Sequence, residues 1–146
     1  MTSLNPQFDK VATVNRAFKH AVRDTPTLTA EDIPLRHRIF AEEVEELAEA
    51  LTEFQEGTLS EEDALIEVAD ALADILVTLY GFAQATGVPI TEVFDIVHES
   101  NLSKLGENGD PIYYTEGPKA GKVAKGPNYW NPRNKIAEVV KEHLNG

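Results

Sequence analysis

Between Ile39 and Ser103 the chain contains no lysine or arginine, yet the same stretch carries 16 carboxylates. Of the 13 basic residues, six lie at or before Arg38 and seven at or after Lys104. Ion pairs one helical turn apart therefore cannot neutralise the acidic segment. Either its charges are dispersed into water, or a cation from outside the chain meets them. The whole chain is also acidic, with a net charge of -12 over 146 residues. That balance disfavours nucleic acid and anionic membranes, both of which are bound through basic patches. With no cysteine, disulfides, thiolate zinc sites and cysteine nucleophiles are excluded. No run of apolar residues is long enough to span a bilayer. Met1 to Asn5 lacks the basic and apolar regions of a secretion leader. The expectation is a single cytoplasmic domain over residues 1–146.

Apolar periodicity predicts an all-α fold. Phe8, Val11, Val14, Phe18 and Val22 recur at helical spacing and predict a first helix over Pro6 to Arg23. A second is predicted over Pro34 to Phe54, with Pro34 in its first turn. Ser60-Glu-Glu-Asp63 resembles a capping box and opens a third helix, Glu61 to Thr86, which stops at Gly87-Val-Pro89. A fourth runs from an N-cap at Thr91 to Lys104. Gly106 to Asn131 is rich in Gly, Pro, Lys and Tyr and reads as an irregular loop. A small hairpin of Ile112-Tyr-Tyr114 with Val123 would be its only strand content. Pro132 to Leu144 reads as a short closing helix. The architecture is thus a four-to-five-helix bundle with antiparallel neighbours joined by short connections.

Two sets of carboxylates do not fall on a solvent face. On a wheel with Phe40 at zero, Glu43 falls at about 300°, among Phe54, Ala50 and Ile39, and Glu46 at about 240°, at the edge of that arc. On the third helix, apolar residues from Leu65 to Phe82 cover most of the circumference and predict burial on several sides. The remaining stripe holds Asp63, Glu67, Asp70 and Asp74, and continues into the small residues Thr78 and Gly81. Burying an unpaired carboxylate costs several kcal/mol, so facing stripes of this kind suit a hard cation. Oxygen ligands alone select Mg²⁺ or Mn²⁺ rather than zinc. A solvated acidic face is the competing reading. The apolar excess on the third helix predicts a homo-oligomer.

The residues resemble a known family. Glu42-Glu43-Val-Glu-Glu46-Leu47 is similar to the EExxEL stretch of the MazG-like all-α nucleoside triphosphate pyrophosphohydrolases, which are related to dimeric dUTPases. Glu67-Val-Ala-Asp70 resembles their ExxD motif, and Asn101-Leu-Ser-Lys104 their asparagine–lysine segment. Asp110-Pro-Ile-Tyr, Gly121-Lys-Val and Lys125-Gly-Pro-Asn-Tyr129 resemble the tail of phage-type members. The resemblance covers Pro34 to Pro132. It implies hydrolysis of a nucleoside triphosphate to monophosphate and pyrophosphate by a homodimer or homotetramer. It also implies two to three Mg²⁺ or Mn²⁺ ions, with Glu43 and Glu46 as the first ligand pair. Glu42 either supports that pair or is the base for the attacking water. Counting by motif makes Glu67 and Asp70 the second pair. Counting back from Gly87 puts the acid at Asp74, with Ala71 where a glutamate is expected. Asp70 lies on the metal-facing stripe in both frames.

A triphosphate and a cage of carboxylates repel unless divalent ions lie between them. The segregated basic residues then fit polyphosphate oxygens, Lys104 and Lys125 foremost, with Arg36 one or two turns before Glu43. Asn101 is a candidate for the base or sugar, and Tyr129 for stacking on the base. Two alternatives compete. One is a non-enzymatic acidic helical adaptor that docks a basic partner. The other is phosphoribosyl-ATP pyrophosphohydrolase, whose shorter chain lacks the lysine-rich tail.

Overall fold

The computed structural model describes residues 4–146 and is all-α. Residues 1–3, part of the segment read for a leader, lie outside the described residues. Five helices follow in order: α1 (Pro6–Ala17), α2 (Ile33–Gln55), α3 (Glu61–Thr86), α4 (Ile90–Leu102) and α5 (Arg133–Asn145). They fall into two compact units, Met1–Val88 and Pro89–Gly146. Among the described residues, no helix is long and apolar enough to cross a membrane.

In the first unit, α2 and α3 form the main packed pair and α1 lies against α3. The α1 helix is capped by the Asn5 side chain, which accepts from the Phe8 N–H at 3.1 Å. It ends at Ala17, six residues before the expected Arg23. The cause is local: Lys19 takes a left-handed φ of 61°, and the His20 N–H turns back to the Asn15 carbonyl at 2.8 Å. The buried face is also shifted from the apolar stripe. Val11, Ala12 and Asn15 are buried, whereas Val14 and Phe18 are exposed. The segment after α1 is fastened to the end of α3, with Arg23 N–H on the Gln84 carbonyl and Thr27 N–H on the Thr86 carbonyl, both 2.8 Å. Gly87 ends α3 at φ 69°, with the Thr25 carbonyl packed where a side chain would stand. Only glycine meets both demands.

Ser60 caps α3 as its sequence predicts: its Oγ accepts from the Asp63 N–H at 3.1 Å and lies 2.9 Å from Asp63 Oδ2. Three glutamate or aspartate residues in the first turn, Glu61, Glu62 and Asp63, suit the positive end of the helix dipole. The buried apolar residues of the α2–α3 pair are small: Ala50, Ala64, Ala71, Ala83 and Ala85. Small side chains at the seam let the helix axes approach. The large apolar residues of α3 point elsewhere, and within one chain Leu65, Ile66, Leu72 and Val77 are 49–62% exposed. The burial of α3 on several sides expected from its sequence is therefore not achieved by one chain.

In the second unit, α4 packs against α5, and His143 Nε2 meets Glu92 Oε1 at 2.8 Å. The α4 helix starts at Ile90, one residue before the expected cap at Thr91; its N-cap is Pro89, with no side-chain cap bond. The loop between α4 and α5 is tied down at three places. Of the expected hairpin, Tyr113 and Val123 form an isolated antiparallel bridge, flanked by the Ala124 N–H on the Ile112 carbonyl and the Tyr114 N–H on the Lys122 carbonyl. The Ser100 hydroxyl donates to the Trp130 carbonyl at 2.9 Å, and the Trp130 N–H donates to Ser103 Oγ at 3.2 Å. The Gly126 N–H donates to the Lys104 carbonyl at 2.8 Å, an approach that a side chain at Gly126 would block.

Candidate active site

Because α2 and α3 run antiparallel as neighbours, the acidic motifs of the two helices meet. Glu43 is half-buried on α2, and its Oε2 is fully buried without a hydrogen-bond partner. Desolvation pushes its carboxyl above the ordinary glutamate range. The charges of Glu46, Asp74 and Asp70 push it further, Glu46 also through a side-chain hydrogen bond. Four acids, two from each helix, thus share one electrostatic environment, and no basic group counters it at Glu43. Glu46 and Asp70 are exposed and Asp74, like Glu43, is half-buried, so Glu46 and Asp70 can change rotamer freely. Among the described residues, no three His, Asp or Glu side chains are gathered closely enough to hold a metal ion as they stand.

The other acidic candidates stand apart from Glu43. Glu67 is exposed and is not among the groups that act on Glu43. Asp63 is engaged with the Ser60 cap. Glu42 is exposed and lies 3.9 Å from Arg38, an i,i+4 pair. Of the two frames for the second acidic pair, the one containing Asp74 is therefore the one that faces Glu43.

Arg36 sits two turns before Glu43 and is buried, with 8% of its surface exposed. Burial lowers its pKa from the usual value, partly offset by the charge of Asp32. Asp32 is itself held by Arg23 and by the Thr29 hydroxyl, which keep its carboxyl below the ordinary aspartate range. Beside Arg36 lies a polar cluster that the apolar periodicity concealed. Asn15 Nδ2 donates to Gln84 Oε1 at 3.1 Å, and Gln84 Nε2 donates to the Phe8 carbonyl at 2.8 Å. Asn15 and Gln84 are both buried. Asparagine at i+4 from Val11, on the face that α1 buries, is the signal that marks it in the sequence.

The second unit brings four further candidates together at the C-terminal end of α4. Lys104 Nζ donates to Asn101 Oδ1 at 2.8 Å. The backbone of Lys104 receives Gly126, which carries the adjacent Lys125 to the same place. Lys125 Nζ lies 4.9 Å from the Tyr129 ring centroid, a cation–π distance. Two more lysines pair in the same way, Lys119 with Tyr114 and Lys135 with Trp130.

Comparison with known proteins reaches from α1 into α4. The family model described as phosphoribosyl-ATP pyrophosphohydrolase matches residues 11–101. It covers both acidic motifs and ends before the Lys- and Tyr-rich loop. A solved structure of a protein from Exiguobacterium sp. 255-15, assigned as an NTP pyrophosphohydrolase, is 23% identical with a TM-score of 0.54, covering 96% of this chain and 97% of that one. At that identity the likeness concerns the fold. No curated protein gives a significant match.

Proposed function

The chain belongs to the phosphoribosyl-ATP pyrophosphohydrolase family and is a pyrophosphohydrolase acting on nucleotide phosphoanhydrides, and from that premise we propose that it cleaves a (deoxy)nucleoside triphosphate to the monophosphate and pyrophosphate. The observation that carries this reading is the buried, unpartnered oxygen of Glu43 amid Glu46, Asp70 and Asp74. A donor set made of carboxylate oxygens, with an excess of negative charge and one orphaned lone pair, fits Mg²⁺ or Mn²⁺. Glu43, Glu46, Asp70 and Asp74 would hold the ions, and Glu67 is left as a solvated neighbour. Bound there, the ions supply charge neutralisation and polarise the phosphoryl oxygens. Glu43 holds its place on the rigid seam, while Glu46 and Asp70 swing in from the surface. Glu42 is the candidate base; release from Arg38 frees its carboxylate to take the proton of the attacking water.

In the second unit, Lys104 and Lys125 offer point charges for polyphosphate oxygens. Asn101 orients Lys104, and Tyr129 offers a ring face for a base. We further infer a homo-oligomer, dimer or tetramer, in which a second copy covers Leu65, Ile66, Leu72 and Val77 of α3. The substrate pool puts the protein in the cytoplasm. The phosphoribosyl-ATP reading remains a second candidate, favoured by the family match; the loop beyond residue 101 favours a nucleoside triphosphate.

The test is a screen of the eight common ribo- and deoxynucleoside triphosphates and phosphoribosyl-ATP with Mn²⁺, following pyrophosphate. Release of pyrophosphate and monophosphate in one step supports the proposal. Successive release of single phosphates contradicts it, and turnover of phosphoribosyl-ATP alone selects the second candidate.

A further inference from the structure

We propose that Ser100 and Ser103 are positioning residues for polyphosphate binding, their hydroxyls pinning residues 126–130 to the last turn of α4 so that Lys125 and Tyr129 stand preset beside Lys104. The inference rests on the reading of Lys104 and Lys125 as polyphosphate contacts and adds the groups that set their place.

The last turn of α4 explains why serines do this. A helix leaves its final carbonyls without intrahelical partners. Here the Glu99, Asn101 and Leu102 carbonyls accept from the backbone N–H groups of Ser103, Lys104 and Leu105 at 3.0–3.2 Å. The Ser100 carbonyl is met by the Ser103 hydroxyl at 2.6 Å. With its hydrogen engaged there, Ser103 Oγ has only acceptor capacity left. It accepts from the Trp130 N–H at 3.2 Å. The Ser100 hydroxyl, on a residue only 3% exposed, donates to the Trp130 carbonyl at 2.9 Å. Both backbone polar groups of Trp130 are thus held by two side chains of one helical turn.

What is held is the part of the loop that carries the candidates. Residues 107–123 are exposed throughout. Residues 126–130 are pinned at both ends, by the Gly126 N–H on the Lys104 carbonyl at 2.8 Å and by Trp130 on the two serines. Between the pins, Pro127 and Asn128 occupy a turn closed by the Tyr129 N–H on the Gly126 carbonyl at 3.2 Å. Proline suits the second position of such a turn. Lys125 comes directly before the first pin and Tyr129 directly before the second.

Each ammonium keeps its charge for an anion, because its partner is neutral. Lys104 Nζ rests on the Asn101 amide oxygen, and Lys125 Nζ lies over the Tyr129 ring. Ordering a lysine costs rotamer entropy, so a backbone fixed in advance lowers the ordering cost of binding. Loss of a pin should therefore appear as weaker anion binding that is routed through Lys125.

The experiment is calorimetric titration of Mn²⁺-pyrophosphate, the smallest ligand with polyphosphate oxygens, into the native protein, Ser100→Ala, Ser103→Ala, Lys125→Ala, and each serine variant combined with Lys125→Ala. Either serine variant is expected to weaken binding about three- to tenfold, the factor that one hydrogen bond carries. In the Lys125→Ala background the same change should cost less than about twofold, because the side chain that the pin positions is gone. The native protein supplies a second reading that needs no variant. A ligand shifts an opening equilibrium only by its difference in affinity for the two states. Saturating Mn²⁺-pyrophosphate should therefore slow amide hydrogen exchange at Gly126 and Trp130 by about the same three- to tenfold. Equal weakening in both backgrounds would make the serines general supports of the fold and overturn the proposal. So would native affinity in both serine variants, or exchange at Gly126 and Trp130 that pyrophosphate leaves unchanged. Lys125→Ala binding as tightly as the native protein would remove the polyphosphate reading of Lys125, and the inference with it.

Discussion

Two levels of the same helix pair carry opposite charges. At one, Glu43 has a buried oxygen that nothing satisfies, with Glu46, Asp70 and Asp74 around it. At the other, two turns along both helices, Arg36 is buried beside Gly81 with no carboxylate in contact. Moving Arg36 by one turn would let it pair with Glu43 and relieve both. The chain instead keeps them apart, so neither charge serves stability. The acidic level offers the all-oxygen donor set that a divalent cation would take. The contrast with Arg23 is instructive. That arginine is met by Asp32 and by the Ala85 carbonyl, and it fastens the segment after α1 to the end of α3.

The largest effect expected is on turnover at the acidic level. Glu46→Gln or Asp70→Asn removes a metal-holding oxygen and should lower kcat/KM by about 10²–10³ or more, the rate equivalent of several kcal/mol. Circular dichroism of either variant should remain that of the native helical protein. Near-normal activity would make the acidic level structural. Glu67→Gln is expected to lower activity far less than Asp74→Asn, because Glu67 does not act on Glu43; the reverse order would restore the Glu67–Asp70 frame.

The next effect is on metal-free stability. A carboxyl whose pKa is raised on folding favours the folded state most below the ordinary glutamate range, and that contribution is lost as the pH rises through the raised value. At neutral pH, Glu43 ionises at a cost, so Glu43→Gln should stabilise the metal-free protein by about 1–3 kcal/mol. The gap should close as the pH falls through the Glu43 titration. Thermal denaturation at several pH values reads both, and a destabilised neutral-pH variant would contradict the account. The smallest effect is at the start of α3. Ser60→Ala should cost about 1 kcal/mol of stability and leave Mn²⁺ affinity unchanged, since the cap lies well before Asp70.

Much of this arrangement was legible in the sequence. Capping and breaking residues are local signals, so α3 runs over its predicted span and α2, α4 and α5 differ only by a residue or two at their ends. Helical spacing marked Glu43 as misplaced for a solvated glutamate, because a carboxylate among Phe54, Ala50 and Ile39 violates the apolar arc. What periodicity could not supply was the register between helices. That register brings the charges of Asp70 and Asp74 to bear on Glu43, and it sets Asn15 and Arg36 against Gly81. The end of α1 was missed because the left-handed turn at Lys19 carries no glycine to announce it. Phosphoribosyl-ATP pyrophosphohydrolase is the competing enzyme reading of the sequence, weighed down by its shorter chain and its lack of the lysine-rich loop after Lys104. The match over residues 11–101 shows that the loop distinguishes this chain within the family and does not place it outside.

The central claim is that the acidic level is built for divalent cations. Titrating Mn²⁺ into the metal-free protein, with free Mn²⁺ followed by electron paramagnetic resonance and the melting midpoint in parallel, tests it most directly. The account predicts saturable binding at Glu43, Glu46, Asp70 and Asp74. It also predicts a rise in midpoint equivalent to about 2.7 kcal/mol when Mn²⁺ reaches 100 times its dissociation constant, lost on chelation and much reduced in Asp70→Asn. An unchanged free-Mn²⁺ signal and a flat midpoint, or binding that Asp70→Asn and Glu46→Gln leave intact, would contradict it.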